Sequence, residues 1–94
     1  MIAHDILGAA SDAIAQRAKL RDLPQGERSM ARTVAAFNAI AATNLDERDG
    51  WLFMACLKMA RATAGEHHLD DYIDMASYAA LAGETAEDES RVGR

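Results

Sequence analysis

Apolar positions recur at helical spacing along most of the chain, and no stretch alternates convincingly with period two. Ile6, Leu7, Ala10, Ile14 and Ala18 predict a first helix over residues 3–20. The segment RDLPQGER then interrupts the pattern, with Pro24 and Gly26 as breakers. Met30, Val34, Phe37 and Ala41, with Ile40 beside them, predict a second helix from about Arg28 to Thr43. Asp46 is placed as an N-cap and Asp49 as its reciprocal capping-box partner, so a third helix begins there and runs to about Ala64. Gly65 suits its left-handed C-terminal cap. A fourth helix starts at Leu69 or Asp70 and is expected to end near Gly83, before the polar run ETAEDESRVGR. The reading is one all-α domain over residues 1–83 with a flexible tail over 84–94. Its short connections favour antiparallel neighbours in a compact four-helix arrangement.

The third helix is apolar in every direction. Plotted at ~100° per residue, Trp51, Leu52, Phe53, Met54, Cys56, Leu57 and Met59 leave no polar face. Such a helix is expected to be covered on most sides. A short chain has little material to cover it, so a homo-oligomer is expected. Lys58 is the first charge after Asp49 and projects close to the Trp51 direction, with Arg61 ~60° away. Lys58 can snorkel, and Arg61 can complement the C-terminal end of the helix dipole. Two cations on one side of an apolar helix also suit an anion, either a carboxylate of the fourth helix or a ligand phosphate.

Composition narrows the classes. The chain has 94 residues, half of them apolar but only 5% aromatic, and alanine is abundant, which favours closely packed helices. A net charge of −5 argues against coating duplex DNA. The single cysteine, Cys56, excludes an internal disulfide and is expected as a buried thiol in a reducing cytosol. Neither a signal-peptide pattern nor a membrane-length apolar run is present.

The fourth helix sets Asp70, Asp74, Ser77 and Leu81 on one face with Tyr78 at its edge. Leu69, Ile73, Ala76 and Ala80 line the opposite face, which is expected to pack inward. Aspartates four residues apart repel on an isolated helix, and a cation between them reverses the sign. Mg²⁺ suits that place, since it needs few carboxylates and completes its shell with water and phosphate oxygens. A structural account competes: Asp70 and Asp71 complement the helix start, and Asp74 pairs with Lys58 or Arg61. His67 and His68 lack metal-binding spacing, and neither a P-loop nor a nucleophile motif is present.

Three blocks, LPQGERSMARTVAAFNAI, LDERDGWLFMACLKMAR and HHLDDYIDMASYAALAGE, resemble a small phage and prophage protein family of unknown function. The resemblance implies a gene product acting in the bacterial cytosol. More distantly, the KxxR of Lys58 and Arg61, followed by Asp70, Asp74 and a tyrosine, is similar to nucleotide-modification-associated helical domains and to MazG-type all-α nucleotide pyrophosphatases. That similarity implies phosphate on Lys58 and Arg61, Mg²⁺ on Asp70 and Asp74, and a base or sugar against Tyr78. The EExxE cluster of those pyrophosphatases is absent from the earlier helix. Arg28 and Ser29, opening the second helix, add a candidate anion site, because a helix N-terminus presents free N–H groups.

The leading expectation is a phage-encoded nucleotide- or phosphate-binding helical protein, with Mg²⁺ as a candidate cofactor. It would act in nucleotide metabolism or host takeover. One alternative is an acidic helical inhibitor of a host or defence protein. Another is a MazG-like triphosphate pyrophosphohydrolase. Whether the protein is an enzyme is left open.

Overall fold

A computed structural model describes residues 1–21 and 29–91, and among them the structure is entirely helical. The helices are α1 (Ala3–Arg21), α2 (Ser29–Ala41), α3 (Glu47–Ala62) and α4 (Leu69–Arg91). Their order in space differs from their order in the chain. Among the described residues, α4 lies between α1 and α3, and α2 packs on α3. The four-helix fold is therefore a row, α1–α4–α3–α2, with α2 at its far flank.

The α2–α3 turn is built by short polar side chains. Asp49 N–H donates to Asp46 Oδ1 at 2.8 Å, and Asp46 N–H donates back to Asp49 Oδ2 at 3.0 Å, which completes the expected capping box. Asn38 clamps the turn from α2. Its Oδ1 accepts from Leu45 N–H at 2.9 Å and from the Thr43 hydroxyl at 2.7 Å, while its Nδ2 donates to the Leu45 carbonyl at 2.9 Å. The turn holds Ala42 at a φ of 55°, a left-handed conformation that strains an alanine. Gly65 takes a φ of 72° beyond the end of α3, as its residue type suggests.

The core is small. Met30 and Val34 of α2, Trp51 of α3, and Leu81 and Ala82 of α4 form one buried cluster, with Met54 and Tyr78 against it. α2 approaches α3 closely at Gly50, where a Cβ would meet Met30 Sδ and Val34 Cγ2. At the other flank, α1 meets α4 at Ala10 and Ser77. Ser77 has no exposed surface, and its hydroxyl reaches the Ile73 carbonyl at 3.0 Å and the Ala10 carbonyl at 3.3 Å. A small hydroxyl there lets two backbones approach without leaving a polar atom unpaired.

Three expectations are corrected. α4 does not stop near Gly83 but continues to Arg91. The residues after Gly83 are mostly good helix formers, and Thr85 is half-buried, with its hydroxyl 3.5 Å from Glu47 Oε2. Secondly, Asp71, Ser77 and Leu81 of α4 are buried and Asp74 and Tyr78 are half-buried like Leu69, Ile73 and Ala76, while Ala80, expected to pack inward, is exposed. Polar residues that find partners across a helix interface can occupy its seam, and an apolar-stripe argument misses them. Lastly, Cys56 is exposed, because it points away from the α4-facing side of α3. The outward side of α3 is uncovered in the single chain, with Leu52, Phe53 and Met59 in solvent.

Candidate functional site

α3 and α4 run antiparallel, and their facing positions follow a three–four spacing on both helices. On α3 the seam reads Glu47, Trp51, Met54, Lys58, Arg61; on α4 it reads Thr85, Leu81, Tyr78, Asp74, Asp71. The apolar layers lie at one end and the charged layers at the other, towards the α3–α4 turn. Charge is thereby concentrated where α3 ends and α4 begins.

The central charged layer is a triad. Lys58 Nζ lies 3.0 Å from Asp74 Oδ2, and Arg17 Nη2 of α1 lies 3.5 Å from Asp74 Oδ1. All three side chains are largely buried, with 15% exposure for Lys58, 22% for Asp74 and 28% for Arg17. Arg17 also lies over the Tyr78 ring, with Cζ 5.2 Å from its centroid. The other neighbour of Tyr78 is Trp51, stacked at a centroid separation of 5.9 Å and an interplanar angle of 21°. Trp51 is in turn oriented through Nε1, 3.4 Å from Glu47 Oε2.

Two cations face one carboxylate, so the triad carries a net positive charge. Arg17 Nη1 is buried and has no hydrogen-bond acceptor among the described residues. A buried guanidinium nitrogen without an acceptor is costly and uncommon, and an incoming oxyanion would relieve it.

One layer nearer the turn, Arg61, Gly65, Glu66, His68 and Asp71 line an open cleft of about 500 Å³. Arg61 and His68 are exposed, whereas Asp71 is only 8% exposed. The Asp71 side chain has no ion-pair partner among the described residues. The cleft thus offers a cation, an imidazole and two carboxylates, Glu66 and Asp71.

The structure brings together Lys58, Asp74 and Tyr78 and puts Arg61 in the adjoining cleft. It does not bring Ser29 to them. Ser29 opens α2, whose buried residues pack at Gly50, ~12 Å along α3 from Lys58. Arg28 lies outside the described residues. The carboxylates expected to share Mg²⁺ are divided: Asp74 is compensated by two cations and Asp70 is exposed. Among the described residues no group of three or more His, Cys, Asp or Glu side chains is placed to hold a metal ion.

Sequence reasoning missed Arg17 and Asp71. For Arg17 a signal existed, since Ala10, Ile14 and Arg17 fall at four–three spacing on one face of α1. Asp71 reads equally well as an exposed acid of the first helical turn, and only the packing of α4 between two helices turns it inward.

These features define a small all-α protein with a cationic triad at an interhelical seam. The chain belongs to the DUF6378 family, a domain of unknown function, whose model matches residues 5–86. No curated protein and no solved structure matches it. No helix among the described residues is long and apolar enough to cross a membrane.

Proposed function

We propose that the protein binds a nucleotide or another phosphorylated small molecule at the turn end of the α3–α4 seam. The observation that carries this reading is the buried Arg17 Nη1, without an acceptor among the described residues, within a triad of two cations and one carboxylate. A phosphate oxygen supplies the missing acceptor and balances the excess charge. Arg61 lines the open cleft nearer the turn, beside His68, Glu66 and Asp71, and the cleft has room for the rest of the ligand. In this reading Mg²⁺ arrives with a polyphosphate chain, consistent with its preference for phosphate and water oxygens. A phage or prophage setting, suggested by the GERSM and GWL…LK..R strings, would make the ligand part of nucleotide handling during infection. Binding is favoured over hydrolysis, because among the described residues no group of three or more His, Cys, Asp or Glu side chains is placed to hold a metal ion for hydrolysis.

The test is thermal unfolding with mono-, di-, tri- and cyclic nucleotides and inorganic phosphate, with and without Mg²⁺. A ligand at about 100 times its Kd adds ~2.7 kcal/mol, which raises Tm by roughly 10 °C or more in a domain this small. Arg61→Gln, at an exposed position, should leave the unliganded Tm in place and reduce the ligand-induced rise. Absence of a shift with every phosphate compound at millimolar concentration overturns the reading.

A further inference from the structure

α2 is a nearly uncharged helix. It carries a single charged residue, Arg32, and among the described residues its helix neighbour is α3. Apart from Arg32, Ser29 and Thr33 its exposed residues are apolar, and Ile40 at its C-terminal end is 87% exposed. Beside Ile40, a groove of about 270 Å³ runs between α2 and α3, lined by Met30, Val34, Phe37, Leu45, Phe53 and Met54. The face continues onto the outward side of α3 through Leu52, Phe53, which is 71% exposed, and Met59. No charge interrupts α3 between Asp49 and Lys58.

We infer that a second copy of this chain covers the α2–α3 face and that the protein is an isologous dimer. Four observations select that occupant. The face presents a knob, Ile40, and an apolar groove side by side, and a two-fold axis lets each copy fill the groove of the other. The area is suitable. At ~150–250 Å² for a whole aromatic side chain and less for an aliphatic one, the exposed parts of Phe37, Ile40, Leu45, Leu52, Phe53 and Met59 sum to roughly 500–600 Å². A standard interface draws ~800 Å² from each partner, rather more than half of it apolar.

The charge distribution agrees as well. A chain of net charge −5 repels itself across most surfaces, and this face is the nearly neutral one. Finally, the single chain wholly buries few large side chains, so the cover is needed whenever the protein is folded. A second copy is the partner present at every synthesis. The groove is also smaller than the ~300–1,000 Å³ usual for small-molecule sites, which disfavours a small ligand there.

The experiment is sedimentation equilibrium of the full chain over a range of concentrations, with wild type, Ile40→Glu and Phe53→Glu compared. Wild type is expected to be a dimer. Each variant is expected to weaken dimerisation by about 30-fold or more, the effect of removing an interface hot spot. If a variant does not fold, a second readout needs no substitution. The Cys56 thiol lies on the same outward side of α3, and its labelling by a maleimide should slow as wild-type concentration rises through the dimer Kd. A wild type that is monomeric at hundreds of micromolar overturns the inference. So does a dimer that is indifferent to both substitutions, or one that labels at a concentration-independent rate.

Discussion

Lys58 and Asp74 are joined at 3.0 Å across the α3–α4 seam, and the same carboxylate takes Arg17 of α1 at 3.5 Å. One aspartate thus connects three of the four helices. Asp74→Asn should cost about 2–3 kcal/mol, less than the ~3–5 for a wholly buried pair because part of the site meets water. Lys58→Met should cost less, since Arg17 still faces the carboxylate and the methionine stem keeps the packing. Urea denaturation of both variants measures the order. A Lys58 variant that costs more than the Asp74 variant would mean that Arg17 does not share the load.

Two glycines should respond to alanine with opposite signs. At Gly50 the new methyl meets Met30 Sδ and Val34 Cγ2, so Gly50→Ala should destabilise by about 1–3 kcal/mol. Met30→Ala in the same chain should recover part of that loss. At Gly83 nothing lies within 4 Å of a new Cβ, and the residue sits inside α4. Gly83→Ala should therefore stabilise by about 0.5–1 kcal/mol. Paired Tm measurements would show the split.

The α2–α3 turn offers a test in both directions. Ala42→Gly should stabilise by about 1 kcal/mol, since glycine adopts a φ of 55° without strain. Asn38→Ala removes three hydrogen bonds to Thr43 and Leu45 and should cost about 1–3 kcal/mol. Equal stability of the Asn38 variant and wild type would show that water replaces the clamp.

Truncation after Gly83 should lower both helicity and Tm, because it removes the part of α4 that includes Thr85, half-buried beside Glu47. A flexible tail would come away without effect. Circular dichroism of the shortened chain distinguishes the two.

The elements were legible where local chemistry determines them. The Asp46–Asp49 box and the Met30–Val34 stripe each give a local signal and lie where expected, and Gly65 is left-handed as expected although the C-cap of α3 is Thr63. Direction was harder to read. Asp74 reads as a partner of Lys58 or Arg61 and does meet Lys58, but Ser77 looks like a surface residue until the Ala10 carbonyl is known to face it. Arg17 lies far from Asp74 in sequence, and no local rule links them. The exposed side of α3 was equally illegible, because a helix apolar in every direction does not say which neighbour covers which side.

The spatial order α1–α4–α3–α2 has a consequence for the newborn protein. Among the described residues, α1 has its helix partner in α4, which is made after α2 and α3. A ribosome therefore releases α1 with no helix to rest on until α4 has emerged. The α3–α4 hairpin, local in sequence, can assemble at once when α4 appears, and α1 must then return to its far side. A stall before α4 is made would leave an exposed amphipathic segment for chaperones or proteases to find.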